Sequence, residues 1–221
     1  MTNKVIVIVG AGPGLGSAVA RAFGRRSYDV ALVARNPGKL DALGTSLQEL
    51  GITTGWSAAD VTDSNALAAA VERFGGHAGH IDALHFNPSI FTPKSAAELS
   101  AEELLSDLAG GAAAILTAAQ AARPFMSAGS VILATGSINA DRPWTTVASL
   151  GVQKAALRNL VTALDQSLRS EGIRAASVTI NGTLAEDTVF APDLIAQVFV
   201  KLAERARTAG ENWQTVVPYP A

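Results

Sequence analysis

The sequence contains no cysteine. Disulfide frameworks, thiolate zinc sites and cysteine nucleophiles are excluded. Tyrosine is nearly absent, with only Tyr28 and Tyr219. Neither charge is in surplus: 17 basic residues stand against 19 acidic ones, for a net charge of -2. That balance argues against a nucleic-acid partner, which needs a basic face. Long apolar runs are also lacking. Val5 to Gly10 is short, and the Ala-rich stretch Gly110 to Ala122 is interrupted by Thr117 and Gln120. Both fall short of the roughly 20 residues of a membrane helix. The first is also too short for a signal-peptide core. A soluble cytoplasmic protein with no membrane partner is expected.

What is present suits a packed core: 48% of the 221 residues are hydrophobic. At roughly 150 residues per domain, one full-sized domain over residues 1–221 is favoured. Short β-branched runs alternate with longer helical stretches. The sequence predicts strands at Lys4–Val9, Asp29–Ala34, Thr53–Ala58, Ile81–Phe86, Ser130–Ala134, Arg174–Ile180 and Gln214–Val217. Val5 to Val9 is apolar without alternation, as in a central strand buried on both faces of a parallel sheet. Helices are predicted at Gly14–Arg26, Pro37–Leu50, Ser64–Phe74, Ala101–Met126, Ser149–Glu171 and Pro192–Arg207. Asn36 before Pro37 reads as a helix cap, Ser100 with Glu103 as a capping box, and Gly172 as a stop. Six β-α units plus a last strand imply an α/β fold. The expected form is a single-domain, Rossmann-like, doubly wound parallel sheet of about seven strands flanked by helices.

Gly10, Gly12, Gly14 and Gly16 lie between the first strand and the first helix. Glycines there permit a tight turn and a close backbone approach to a pyrophosphate, and the helix N-terminus offers free N–H groups. The second strand ends Val33-Ala34-Arg35-Asn36. It lacks the carboxylate that holds a ribose 2′-hydroxyl in NAD sites, whereas Arg35 can pair with a 2′-phosphate. NADP(H) is the expected cofactor, in preference to NAD(H).

With these residues the chain resembles the short-chain dehydrogenase/reductase family, from Asn3 to about Pro218. The resemblance implies that Gly10, Gly14, Leu15 and Gly16 form the cofactor loop and that Asp60-Val61 meets adenine. Asp82-Ala83-Leu84-His85-Phe86-Asn87-Pro88-Ser89 occupies the family's strand and Asn-Asn-Ala-Gly segment, of which only Asn87 survives. The family active site has a serine, a tyrosine thirteen residues later and a lysine four after that. Ser137 and Lys154 match the serine and the lysine. Both spacings fall on residue 150, which is leucine. Leucine has no proton to transfer, and a positioned acid–base group typically contributes about 10²–10⁴-fold. The family's helix asparagine maps to Gly111, or to Asp107 if the count shifts by four. Asn181-Gly182 replaces the family's Pro-Gly, and Glu186 aligns with a threonine. The resemblance implies a substrate lid cut short between Gly182 and Pro192. A small-molecule substrate and assembly as a homodimer or homotetramer are implied.

Other residues allow a functional or a plain reading. His77 and His80 lack a third ligand, so a solvated pair is expected and no metal site. His85 either faces the crevice as an acid or is packed, and packing is the stronger reading. Asp141, Arg142 and Trp144 follow Ser137, either to meet substrate or as a surface ion pair and a half-buried indole. Two readings of function result. One is an atypical oxidoreductase passing hydride to an iminium or an activated enone or carbonyl. The other is an NADP(H)-binding protein that is catalytically silent or non-redox.

Overall fold

A computed structural model describes residues 3–210 and 212–220. Met1, Thr2, Glu211 and Ala221 of the expected 1–221 span lie outside the described residues. Seven strands form one parallel sheet: β1 (Lys4–Val9), β2 (Tyr28–Ala34), β3 (Thr54–Ala58), β4 (Ala83–Phe86), β5 (Val131–Ser137), β6 (Arg174–Ile180) and β7 (Val216–Tyr219). Their spatial order is β3-β2-β1-β4-β5-β6-β7. β1 is interior, between β2 and β4, as its unbroken apolar run requires.

Side chains alternate across the sheet. Ile6 and Ile8 join one apolar cluster with α1 (Leu15–Gly24), α2 (Pro37–Glu49) and α7 (Pro192–Ala206). Val7 and Val9 join a second, with α3 (Ser64–Ala78), α5 (Ala114–Ala122) and α6 (Ala148–Leu168). Phe23, Phe199 and Phe86 are among the largest fully buried side chains. Each contributes about 1.5–3 kcal/mol by leaving water. The fold is the doubly wound α/β class.

Local causes set the helix ends. Asn36 Oδ1 accepts from Lys39 N at 2.9 Å, with Pro37 opening α2. Ser100 and Glu103 complete a reciprocal capping box on α4 (Ala101–Leu108). Asp63 caps α3. Gly172 takes a left-handed φ of 73° where the chain leaves a 3₁₀ turn after α6.

Several predicted elements differ in extent: α3 runs four residues past Phe74, β4 starts two residues after Ile81, and three others differ as follows. The single helix expected over 101–126 contains a π-helical turn, Ala109–Ala113, between α4 and α5 and closes in a 3₁₀ turn, Arg123–Phe125. This 25-residue run, Ala101–Phe125, is apolar enough to span a membrane by composition, but half of its most apolar stretch is buried inside the protein. β5 continues three residues past Ala134, because Thr135, Gly136 and Ser137 pair with Val178, Thr179 and Ile180 of β6. β7 lies two residues later than expected. It is an edge strand, where Pro218 is tolerated.

Candidate functional site

The chain leaves β1 toward one face of the sheet and β4 toward the other, which opens a crevice at their carboxyl ends. The glycine loop lines one side. Gly10 has φ 82°, and a Cβ on it would stand 2.8 Å from Pro88 N. Its N–H donates to Val33 O at 2.9 Å, and its carbonyl accepts from Asn87 Nδ2 at 3.1 Å. The loop is thus held against both β2 and the β4 exit. Gly14, with φ 86°, precedes α1, whose start has no side-chain cap. Within the first turn of α1 the Ser17 N–H donates to Gly12 O at 2.9 Å, so the Leu15 and Gly16 N–H groups are the ones left for a ligand.

A cavity of about 1030 Å³ opens beside this loop. Gly10, Arg35, Asp60, Val61 and Asn87 line it, as does Lys39, which the sequence reading missed. Gly14, Leu15 and Gly16 do not line it. Leu15 is in the core, and a Cβ on Gly16 would meet Gly10 O at 3.1 Å. Among the described residues, neither Arg35 nor Lys39 has a carboxylate within 4.0 Å. Lys39 had a legible signal: a cation in the first turn of a helix opposes the helix dipole. Asp60 accepts from Thr62 N at 2.9 Å and Thr62 Oγ1 at 2.7 Å. Those bonds lower its pKa, and the Arg35 charge is the smaller cause. Arg21, also on the cavity wall, is tied to Asp193 at 2.7 Å.

Behind the glycine loop runs a buried polar chain. Thr135 Oγ1 donates to Asn87 Oδ1 at 2.8 Å. Its hydrogen is thereby committed, so His85 Nε2, 3.1 Å away, must be the donor to Thr135. His85 Nδ1 is buried without a partner, and the ring packs on Phe199 at 4.6 Å between centroids. Burial, and secondarily the Lys154 charge, lower the His85 pKa to about 3. His85 is a packed neutral imidazole, not an acid.

Lys154 lies on α6 and is 2% exposed. Its Nζ donates to Thr135 O at 3.0 Å and Pro88 O at 3.3 Å, and burial lowers its pKa to about 8. Pro88 lines the cavity, whereas Lys154 and Ser137 are not among its lining residues. Ser137 ends β5, and its Oγ accepts from Asn139 N at 3.2 Å, leaving the hydroxyl hydrogen free. Leu150 is in the first turn of α6, one turn before Lys154, and 3% exposed. Gly111 lies in the π-turn, and Asp107 is buried on α4.

Several other residues have plain roles. Asp141 pairs with Arg158, at 2.7 and 2.8 Å, and not with Arg142. Trp144 is 45% exposed. His80 bonds backbone carbonyls of Ala78 and Asn3 at the amino end of the sheet. Tyr28 also lies at that end, packed edge-on against Phe23. Tyr219 OH donates to Val189 O at 2.7 Å, which ties the 182–191 loop to β7. Glu186 is exposed in that loop.

The short chain dehydrogenase family model matches residues 4–189, and the chain belongs to that family. It is 30% identical over 184 residues to the 2,3-dihydro-2,3-dihydroxybenzoate dehydrogenase of Bacillus subtilis, covering 82% of this chain and 70% of that one. It is 30% identical over 211 residues to the cis-4-hydroxycyclohexanecarboxylate dehydrogenase of Sinomonas cyclohexanicum, covering 92% and 81%. A short chain dehydrogenase from Mycobacterium smegmatis superposes with a TM-score of 0.88 at 22% identity, over 100% and 92% of the two chains. A metagenomic short-chain oxidoreductase in complex with NADP superposes at 0.85 and 24%, over 99% and 97%. These two structures share the fold.

Proposed function

We propose that the chain is an NADP(H)-binding oxidoreductase with an atypical active site, acting on a small-molecule substrate. The observation that carries this reading is the pair Arg35 and Lys39, two cations on the cavity beside the glycine loop with no carboxylate within 4.0 Å among the described residues. A 2′-phosphate supplies the missing negative charge. The residues fit a dinucleotide in other respects. α1 starts uncapped, Gly10 has no room for a side chain, and the cavity is of ligand size. The bound cofactor supplies a hydride. Lys154, with two N–H groups on carbonyls, has a third for the nicotinamide-side ribose. The free hydroxyl hydrogen of Ser137 orients a substrate acceptor.

Leu150 stands where the family carries its tyrosine, so the protein offers no proton there. Hydride acceptors are then limited to those needing none from the protein, such as an iminium, or an activated enone or carbonyl protonated by water. A lid shortened to the 182–191 loop leaves the pocket open. Assembly as a homodimer or homotetramer is supported by α4 and α6, adjacent helices that expose Leu105 (66%) and Val152 (44%). A second reading is a catalytically silent or non-redox NADP(H)-binding protein. Leu150 and Gly111, both without a polar side chain, favour it.

Calorimetry with NADPH and NADH tests the cofactor. NADPH should bind at least about tenfold more tightly, the scale of one charge-assisted contact. Arg35→Glu should abolish the difference, and an unchanged preference in that variant rejects the assignment. Turnover of NADPH with a panel of iminium ions, enones and ketones separates the two readings. Binding without oxidation of NADPH by any of them selects the silent one. Leu150→Tyr should add reduction of generic activated ketones.

A further inference from the structure

The segment after β4, Asn87 to Ile90, forms one wall of the cavity. Two consecutive α6 side chains hold it. Lys154 donates to Pro88 O. Gln153 takes both backbone groups of Ile90: Oε1 accepts from Ile90 N at 3.1 Å, and Nε2 donates to Ile90 O at 2.9 Å. Gln153 is fully buried. Its amide is braced by a buried chain. Nε2 lies 3.4 Å from Ser149 Oγ, which donates to Asp107 Oδ2 at 2.6 Å, while Asp107 Oδ1 accepts from Thr92 Oγ1 at 3.0 Å.

The room for this clamp comes from the π-turn. A Cβ on Gly111 would stand 1.9 Å from Gln153 Oε1, and a Cβ on Gly110 would stand 2.6 Å from Ile90 Cδ1. One glycine receives the clamping side chain, and its neighbour receives the residue that is clamped. Ile90 is half-buried on the cavity wall, and removing the amide takes away the side-chain partner of both its backbone N–H and its carbonyl, which loosens the wall.

We propose that Gln153 is a positioning residue of the cofactor site, fixing the Asn87–Ile90 wall through the backbone of Ile90. The inference rests on the reading of the cavity as an NADP(H) site.

Calorimetric titration with NADPH tests it, with thermal melting as the check of folding. Gln153→Ala should weaken NADPH binding about tenfold, the scale of one to two hydrogen bonds. Gln153→Glu keeps the shape and the acceptor for Ile90 N but loses the donor to Ile90 O. It should bind weakly while its carboxyl is ionised and recover as acid protonates that group into a donor. Gly111→Asn combined with Gln153→Ala puts an amide into the vacated volume and should restore affinity. A folded Gln153→Ala that binds NADPH within about twofold of wild type overturns the proposal. A folded double variant as weak as Gln153→Ala also overturns it. Should Gln153→Ala not fold, Gln153→Glu decides: affinity that tracks wild type across pH overturns the proposal. Wild-type protein that binds no NADPH removes the reading of function itself, and this inference with it.

Discussion

Lys154 holds an ammonium group where almost no water reaches it. Burial lowers its pKa from 10.5 to about 8 in the folded chain. The unfolded chain then binds more protons between those values, so stability rises with pH across that window. Urea unfolding should show wild type gaining on Lys154→Met from about pH 8 to 10.5. A constant difference between the two would count against a buried ammonium. His85 produces the corresponding effect in acid. Its pKa falls from 6.5 to about 3, chiefly by burial, so its contribution is full above 6.5 and is lost as pH falls toward 3. Relative to His85→Leu, wild type should lose stability through that range. At this scale the sequence was legible where a local pattern carried the meaning, as in the Asn36 cap of α2 and the Ser100–Glu103 capping box. Thr135 and Gln153 were not, because their partners Asn87 and Ile90 are 48 and 63 residues away. Nothing local marks either as anything but a strand end and a helix-face amide.

The β1–α1 loop is the element whose geometry is least forgiving. Gly10 combines a positive φ with a Cβ position 2.8 Å from Pro88 N. Gly10→Ala should cost about 1–3 kcal/mol in urea unfolding. It should also weaken NADPH binding, since the loop and the β4 exit must part. The order of strands and helices was readable because apolar runs and capping residues announce themselves locally. The π-turn was not. Between Ala109 and Leu116 every residue is alanine, glycine or an apolar side chain, so no polar stripe exists whose break would betray an extra residue. The fold inserts the bulge where Gly110 and Gly111 must admit Ile90 and Gln153. The end of β5 was misread for another reason: Thr135-Gly136-Ser137 has weak strand character, and pairing with β6 overrides it.

Across the whole molecule, the parallel sheet brings the glycine loop, Asn87, Ser137 and the 182–191 loop to one end. The proposed oligomer would cover the α4 and α6 faces. Sedimentation should find a dimer or tetramer, and Leu105→Glu with Val152→Glu should shift it toward monomer. An unchanged mass in that variant would move the interface elsewhere. The alternation of strands and helices was legible, whereas the spatial order of the strands and the cavity's position relative to each side chain were not, since both depend on contacts distant along the chain, at the switch between β1 and β4. Those contacts have a further consequence. The N–H of Ile90 is held by a glutamine side chain, not by a strand ladder. Its exchange with solvent deuterium therefore reports the local opening of the cavity wall, independently of global unfolding. That single amide is a built-in gauge of ligand occupancy that requires no substrate.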